Sequence, residues 1–180
     1  KDGKMKRILF LLFVLFGSLS ANAQEWVLVW SDEFYTPGLP DTAKWSNEVG
    51  YIRNNELQYY TDRRSQNTHI DDTALVIEAI KEDYMGAYYT SASLVSRYRG
   101  DWLYGRIEVR AKIPTGRGAW PAIWMMPSEN KYGGWPYSGE IDIMENVGYE
   151  PDKIYSTLHY SGTDGSGHQS SGSHAVRTAP

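Results

Sequence analysis

Between residues 104 and 113 the chain alternates strictly: Ile107, Val109, Ala111 and Ile113 are apolar, whereas Arg106, Glu108, Arg110 and Lys112 are charged. Successive side chains on a strand point to opposite faces, so this period of two predicts a strand with one dry and one wet side. Apolar or alternating runs at Trp26–Trp30, Ala74–Ile80, Ala122–Met126, Gly139–Val147 and Ile154–Tyr160 predict five more. Turn residues separate them at Pro37-Gly38, Tyr84-Met85-Gly86, Pro114-Thr115-Gly116, Gly133-Gly134 and Pro151-Asp152. No segment has the period of an amphipathic helix, and there is no internal repeat. Many short strands between Gly- and Pro-rich turns predict an all-β sandwich or barrel. Ser161–Ser173, with five Ser and four Gly, reads as a loop.

The start of the chain follows another logic. Lys4, Lys6 and Arg7 precede the apolar run Ile8–Phe16, and Ala21-Asn22-Ala23 ends the segment. A basic start, a short apolar stretch and an Ala-x-Ala end are the parts of a secretory signal peptide, cleaved after Ala23. Met5 is the natural first residue. The apolar run is well short of the roughly 20 residues that span a membrane. The expected organisation is a signal peptide at 1–23 and one domain at 24–180, in a secreted or periplasmic protein with no membrane attachment after cleavage.

Composition sharpens this picture. In 180 residues, 41% hydrophobic and 22% charged, there is room for one ordinary globular domain. The absence of cysteine excludes disulfides, Cys-ligated zinc, iron–sulfur clusters and thiol catalysis. Removing residues 1–23 takes away Lys1, Lys4, Lys6, Arg7 and Asp2, leaving 14 basic and 21 acidic groups and a net charge of −7. That balance argues against nucleic acid or an anionic membrane as partner and suits an uncharged substrate. Seven Trp and fourteen Tyr exceed the needs of a core this size and point to an exposed aromatic surface.

The candidate chemistry lies in Gly139-Glu140-Ile141-Asp142-Ile143-Met144-Glu145-Asn146. On a strand, Glu140 and Asp142 share a face while Ile141 and Ile143 point to the core. Strict alternation would place Glu145 on the core side, where an unpaired carboxylate is costly. A β-bulge near Ile143-Met144 returns it to the face of the other two. Clustered carboxylates cannot all ionise easily, so at least one holds its proton near neutral pH and can act as an acid. Two Glu leaning inward on a curved sheet can approach the ~5 Å separation of a retaining glycosidase. The plainer alternatives are a solvated acidic face or a calcium-binding surface. Trp120, Trp124 and Trp135 flank the motif, and aromatic rings suit the apolar C–H faces of sugars.

With these residues the chain resembles glycoside hydrolase family 16, and most closely its bacterial laminarinases, the endo-β-1,3-glucanases. The likeness extends to Trp30-Ser31-Asp32-Glu33-Phe34, Asn54-Asn55-Glu56-Leu57-Gln58-Tyr59-Tyr60-Thr61, Tyr104–Lys112, Trp120-Pro121-Ala122-Ile123-Trp124 and Thr157-Leu158-His159-Tyr160. The six-residue acidic motif is the family's bulged form; lichenases carry a five-residue, unbulged one. The resemblance implies a curved, concanavalin A-like β-jelly-roll sandwich with a sugar cleft along its concave sheet. It makes Glu140 the nucleophile, Glu145 the acid/base and Asp142 the assisting carboxylate. Trp120, Trp124 and Trp135 become sugar platforms, and Asn54, Glu56 and His159 cleft-edge contacts.

Three of these have plainer readings. His159 can pack between strands, Trp124 can lie in the core, and Glu56, Gln58 and Tyr60 can be the polar side of a strand. No cofactor is required for the chemistry. Many family members hold a structural calcium, partly through backbone near Glu33 and Gly50, but no metal ligand is assigned.

The expected protein is a secreted, monomeric, retaining endo-β-glucanase acting on β-1,3-glucan. Its rivals are a non-catalytic glucan-binding protein on the same fold, disfavoured by the presence of both Glu140 and Glu145, and a family hydrolase of mixed-linkage glucan or galactan. The scarcity of basic residues near the cleft argues against sulfated galactans. The 157 residues after Ala23 fall below the roughly 200–250 of many β-sandwich domains, so the expectation is a domain incomplete at its C-terminus and without activity on its own.

Overall fold

In a computed structural model of the chain, the described residues are 25–162 and 166–175. The expected signal peptide lies outside them. They divide into two units between Glu33 and Phe34. In the first, residues 25–33, the segment predicted as a strand at Trp26–Trp30 joins no ladder among the described residues, and Val27, Leu28 and Val29 are exposed.

The second unit is all-β, with no helix among the described residues. In chain order its strands are β1 (Ser46–Glu48), β2 (Gln58–Tyr60), β3 (Thr68–Asp71), β4 (Ala74–Ile77), β5 (Ile80–Tyr84) and β6 (Ala87–Ser91), followed by β7 (Ser93–Val95), β8 (Ala122–Met125), β9 (Glu140–Glu145), β10 (Lys153–Ser161) and β11 (Gly167–Ala175). They form four sheets with orders β1-β7, β2-β6-β5, β3-β4 and β11-β10-β9-β8. All pairs are antiparallel except β2 with β6.

Three expectations change. The apolar run at 74–80 is divided: β4 pairs with β3, and Ile80 opens β5 in another sheet. The Ser/Gly-rich stretch after Ser161 is largely a strand, since β11 pairs with β10 in unbroken register from Lys153↔Ala175 to Ser161↔Gly167. Small residues accept an extended backbone once a neighbour supplies every ladder bond, which composition does not reveal. Conversely, 104–113 forms no ladder among the described residues. Its alternation still sorts the side chains. Ile107, Val109, Ala111 and Ile113 line a cavity of about 460 Å³ with Ile123, Ile143, Met144 and Ile154 from β8, β9 and β10.

Beneath β2 and β6 the interior is polar. Asn67 is wholly buried; its Oδ1 accepts from Thr61 Oγ1 (2.9 Å) and Arg64 (3.0 Å), and its Nδ2 donates to Thr90 Oγ1 (2.9 Å) and Glu78 O (3.1 Å). Arg64 pairs in turn with Glu82. A buried amide with every partner in place fixes one arrangement of the segments around it.

Candidate active site

β9 is an inner strand, with β8 on one side and β10 on the other. Opposite β10, Asp142 faces Thr157 and Glu145 faces Tyr155, so three steps on β9 match two on β10. Opposite β8, Asp142 faces Trp124 and Met144 faces Ile123. The pairing with β8 therefore places an extra residue at Ile143, and that with β10 places one within Ile143-Met144. This is the bulge required by the acidic pattern, and it sets Glu140, Asp142 and Glu145 on one face. Ile143 and Met144 face the apolar cavity. Ile141, expected to point to the core, is exposed instead, and the cavity lining does not include it.

Each Glu is held by a tryptophan. Trp135 Nε1 donates to Glu140 Oε2 at 2.7 Å, and Trp120 Nε1 donates to Glu145 Oε1 at 3.0 Å. Both indoles remain 58–59% exposed, so their rings are open to a ligand while their N–H groups hold the carboxylates. His159, directly across from Glu140, brings Nε2 to 3.1 Å from Asp142 Oδ2 and 3.8 Å from Glu140 Oε1. The ring of His159 also packs against Trp135, centroid to centroid 5.4 Å. The histidine thus contacts both the carboxylates and the Trp135 ring.

Asp142, only 4% exposed, has its pKa raised by burial first, then by the charge of Glu140 and a hydrogen bond to it; His159 opposes the rise. Glu145 is also raised, mainly by burial and then by Asp142, against the hydrogen bond from Trp120 and the influence of His159. A carboxyl that keeps its proton toward neutral pH is suited to protonate a leaving group.

The remaining candidates lie to one side. Trp124 is the cross-strand partner of Asp142, so it faces the carboxylates, half-buried rather than in the core. Asn54 and Asn55 both adopt left-handed backbone, φ +56° and +51°, which Asn tolerates better than most residues, and they form an exposed corner before β2. Glu56 Oε2 accepts from Gln58 Nε2 (3.0 Å) and Tyr60 OH (2.8 Å), so these three form one hydrogen-bonded polar group at β2. Arg53 links this group to the site. Its guanidinium pairs with Glu48 and lies 5.9 Å from the Tyr60 ring centroid and 5.0 Å from that of Trp124. Arg53 was not singled out in sequence, because a lone Arg in a turn carries no spacing signal.

Among the described residues, one group has side chains close enough to share a metal ion: Glu140, Asp142 and His159. An imidazole nitrogen in so small a set does not fit calcium, which takes six to eight oxygens. Near Gly50, the carbonyl accepts from Tyr60 N at 3.0 Å, and no carboxylate cluster gathers there among the described residues.

Comparison with known proteins agrees with this geometry. The chain is 51% identical over 165 residues to a beta-glucanase of Rhodothermus marinus, covering 86% of this chain and 58% of that protein. It is 42% identical over 163 residues to a glucan endo-1,3-beta-glucosidase of Cryptopygus antarcticus, covering 87% and 58%. The X-ray structure of the laminarinase from Rhodothermus marinus superposes with a TM-score of 0.78 at 49% identity, over 84% of this chain and 62% of that one. The chain thus spans about three fifths of the length of these relatives, and the jelly-roll expectation is borne out for the part it covers. The model of the family described as glycosyl hydrolases family 16 matches residues 43–179, the stretch containing the bulged strand and all of its partners, and the chain belongs to that family.

Proposed function

We propose that this protein is a retaining endo-β-glucanase that cleaves β-1,3-glucan, with Glu140 as nucleophile and Glu145 as acid/base. The observation that carries the proposal is the bulge at Ile143, which puts Glu140 and Glu145 on one face, each anchored by an indole N–H. The names of its relatives, a beta-glucanase, a glucan endo-1,3-beta-glucosidase and a laminarinase, support β-glucan as the substrate class.

In the first step a Glu140 oxygen attacks the anomeric carbon. The glycosidic C–O bond breaks, and the leaving oxygen takes the proton of Glu145. In the second, ionised Glu145 removes a proton from water, whose oxygen attacks the same carbon and releases Glu140. Two inversions give net retention. Asp142, buried between Glu140 and His159, limits the negative charge beside the nucleophile. The exposed faces of Trp120 and Trp135 offer stacking surfaces for glucosyl units, with Trp124 beside them. The chemistry requires no cofactor.

The proposed organisation is a signal peptide cleaved after Ala23 and a monomeric, exported catalytic domain; N-terminal sequencing of the secreted form then begins at Gln24. The deciding experiment incubates the full-length protein with laminarin, lichenan, agarose and carrageenan and separates the products. Short β-1,3-oligosaccharides from laminarin, first released as the β-anomer, are expected. Absence of laminarin cleavage overturns the substrate, and early α-anomer overturns the retaining mechanism.

A further inference from the structure

The loop before β8 is fastened to the chain after β9 on both sides of one residue. Asn146 N donates to Pro121 O at 3.2 Å and Gly148 N donates to Ala119 O at 2.8 Å, so the residue between, Trp120, is held by a clamp in front and a clamp behind. Asn146 is itself wholly buried, its Nδ2 donating to Lys153 O (2.7 Å) and Glu150 O (3.3 Å), which ties the clamp to the β9–β10 turn. Gly148 is buried where the loop comes closest. A Cβ there would stand 2.7 Å from Gly116 C and 3.2 Å from the Ala119 methyl, and closer still to Gly116 O. Those obstacles are mainly backbone, so relief requires the loop to lift.

We infer that the 116–120 loop, seated on Gly148, is the positioning device of the acid/base Glu145 and acts through the indole N–H of Trp120. The inference deepens the proposed function and rests on its assignment of Glu145. The device has one target. Trp120 Nε1 bonds Glu145 Oε1, and Ala122, which follows the clamp, is the cross-strand partner of Glu145. Among the described residues, nothing else facing Glu145 can take over. Asp142 on β9 is acidic, Tyr155 on β10 has its hydroxyl committed to Glu150 at 2.5 Å, and Nε2 of His159 lies against Asp142. The bond from Trp120 favours the ionised carboxylate, so without it Glu145 keeps its proton to higher pH and loses its aim at the leaving oxygen.

The test uses the full-length protein with Trp120→Phe, which keeps the loop and removes the N–H, and Gly148→Ala, which displaces the loop and keeps the N–H. Both should move the basic limb of the pH–kcat/KM profile to higher pH. Both should lower laminarin hydrolysis by roughly tenfold, and hydrolysis of an aryl β-glucoside whose leaving group needs no proton by clearly less. The double variant should match Trp120→Phe alone. An unmoved limb in Trp120→Phe, or equal losses on both substrates, overturns the inference even when Gly148→Ala does not fold. A folded Gly148→Ala with an unmoved limb overturns the part played by Gly148. Carboxyl ¹³C NMR titration, with Glu145 assigned by its loss in Glu145→Gln, reads the same shift without any substrate. A protein inert on laminarin therefore counts against the proposed function, and an unmoved Glu145 resonance counts against this inference.

Discussion

Glu145 carries two costs that a surface glutamate does not: partial burial and the neighbouring charge of Asp142. Because folding raises its pKa, the folded protein binds this proton more tightly than the unfolded chain. The stability it contributes is full below the ordinary carboxylate value and declines as pH rises through the raised one. Glu145→Gln should therefore raise Tm at pH 7, by on the order of a few °C, with the gain disappearing below about pH 4. Scanning calorimetry of the full-length protein across that range checks it, and an unchanged or lower Tm at pH 7 contradicts the burial cost. Glu140 obeys a different logic, because its task is to attack. Glu140→Gln should bind glucan yet lose turnover by more than about a thousandfold. Azide added to Glu140→Ala should restore cleavage of an activated aryl glucoside and give the α-glycosyl azide. Wild-type turnover in Glu140→Gln removes it from the role of nucleophile.

At the scale of elements, the bulge converts a sequence pattern into a site. Because β9 uses three steps where β8 and β10 use two, deleting Ile143 should leave Glu145 paired with Ala122 and Tyr155 and still on the face of Asp142. Inserting one Ala after Ile143 makes four steps and carries Glu145 past its partners Ala122 and Tyr155, further from Glu140. The deletion should keep measurable laminarin hydrolysis, whereas the insertion should abolish it; the opposite order refutes the register. The polar interior beneath β2 and β6 supplies a second test. Asn67→Ala leaves Thr61 and Thr90 without their amide partner and Glu78 O without a side-chain donor. Thr61 keeps Ser91 O and Thr90 keeps Glu82 as partners, so the loss should be about 1–3 kcal/mol, measurable by denaturant unfolding of the full-length protein. A change below about 1 kcal/mol indicates that water replaces the amide.

At the scale of the whole molecule, the described residues bury little apolar surface. Among the described residues the buried apolar side chains are Pro40, Ile70, Ala87 and Ala92, while Leu57, Leu103 and Val109 stand well exposed. The cavity of about 460 Å³ beside β8, β9 and β10 is apolar throughout apart from Glu108. Net stability is a small difference between hydrophobic gain and conformational entropy, and so little burial leaves scarcely any surplus. The 180-residue chain by itself should therefore bind ANS and unfold without a cooperative transition. A sharp calorimetric peak from this chain alone contradicts that expectation.

Several decisive features can be read from the residues in order. The spacing of Glu140, Asp142 and Glu145 demands a bulge, because the alternative buries a bare carboxylate, and the alternation at 104–113 marks the apolar side chains that line the cavity beside β8, β9 and β10. These are local rules: side-chain period and the cost of desolvating a charge act within a few residues of chain. Other features depended on partners distant in sequence. Ser161–Ser173 reads as a loop until β10 supplies a ladder, and 104–113 reads as a strand although no ladder forms there among the described residues. Trp120 and Trp135 read as sugar platforms, but only tertiary packing shows their N–H groups holding Glu145 and Glu140. The placement of His159 between Asp142 and Trp135, and of Arg53 over Trp124, is settled the same way. Local pattern tells a strand which way its side chains face; which neighbours they meet is decided by pairing and closure across the whole chain, where no short window of sequence contains both partners.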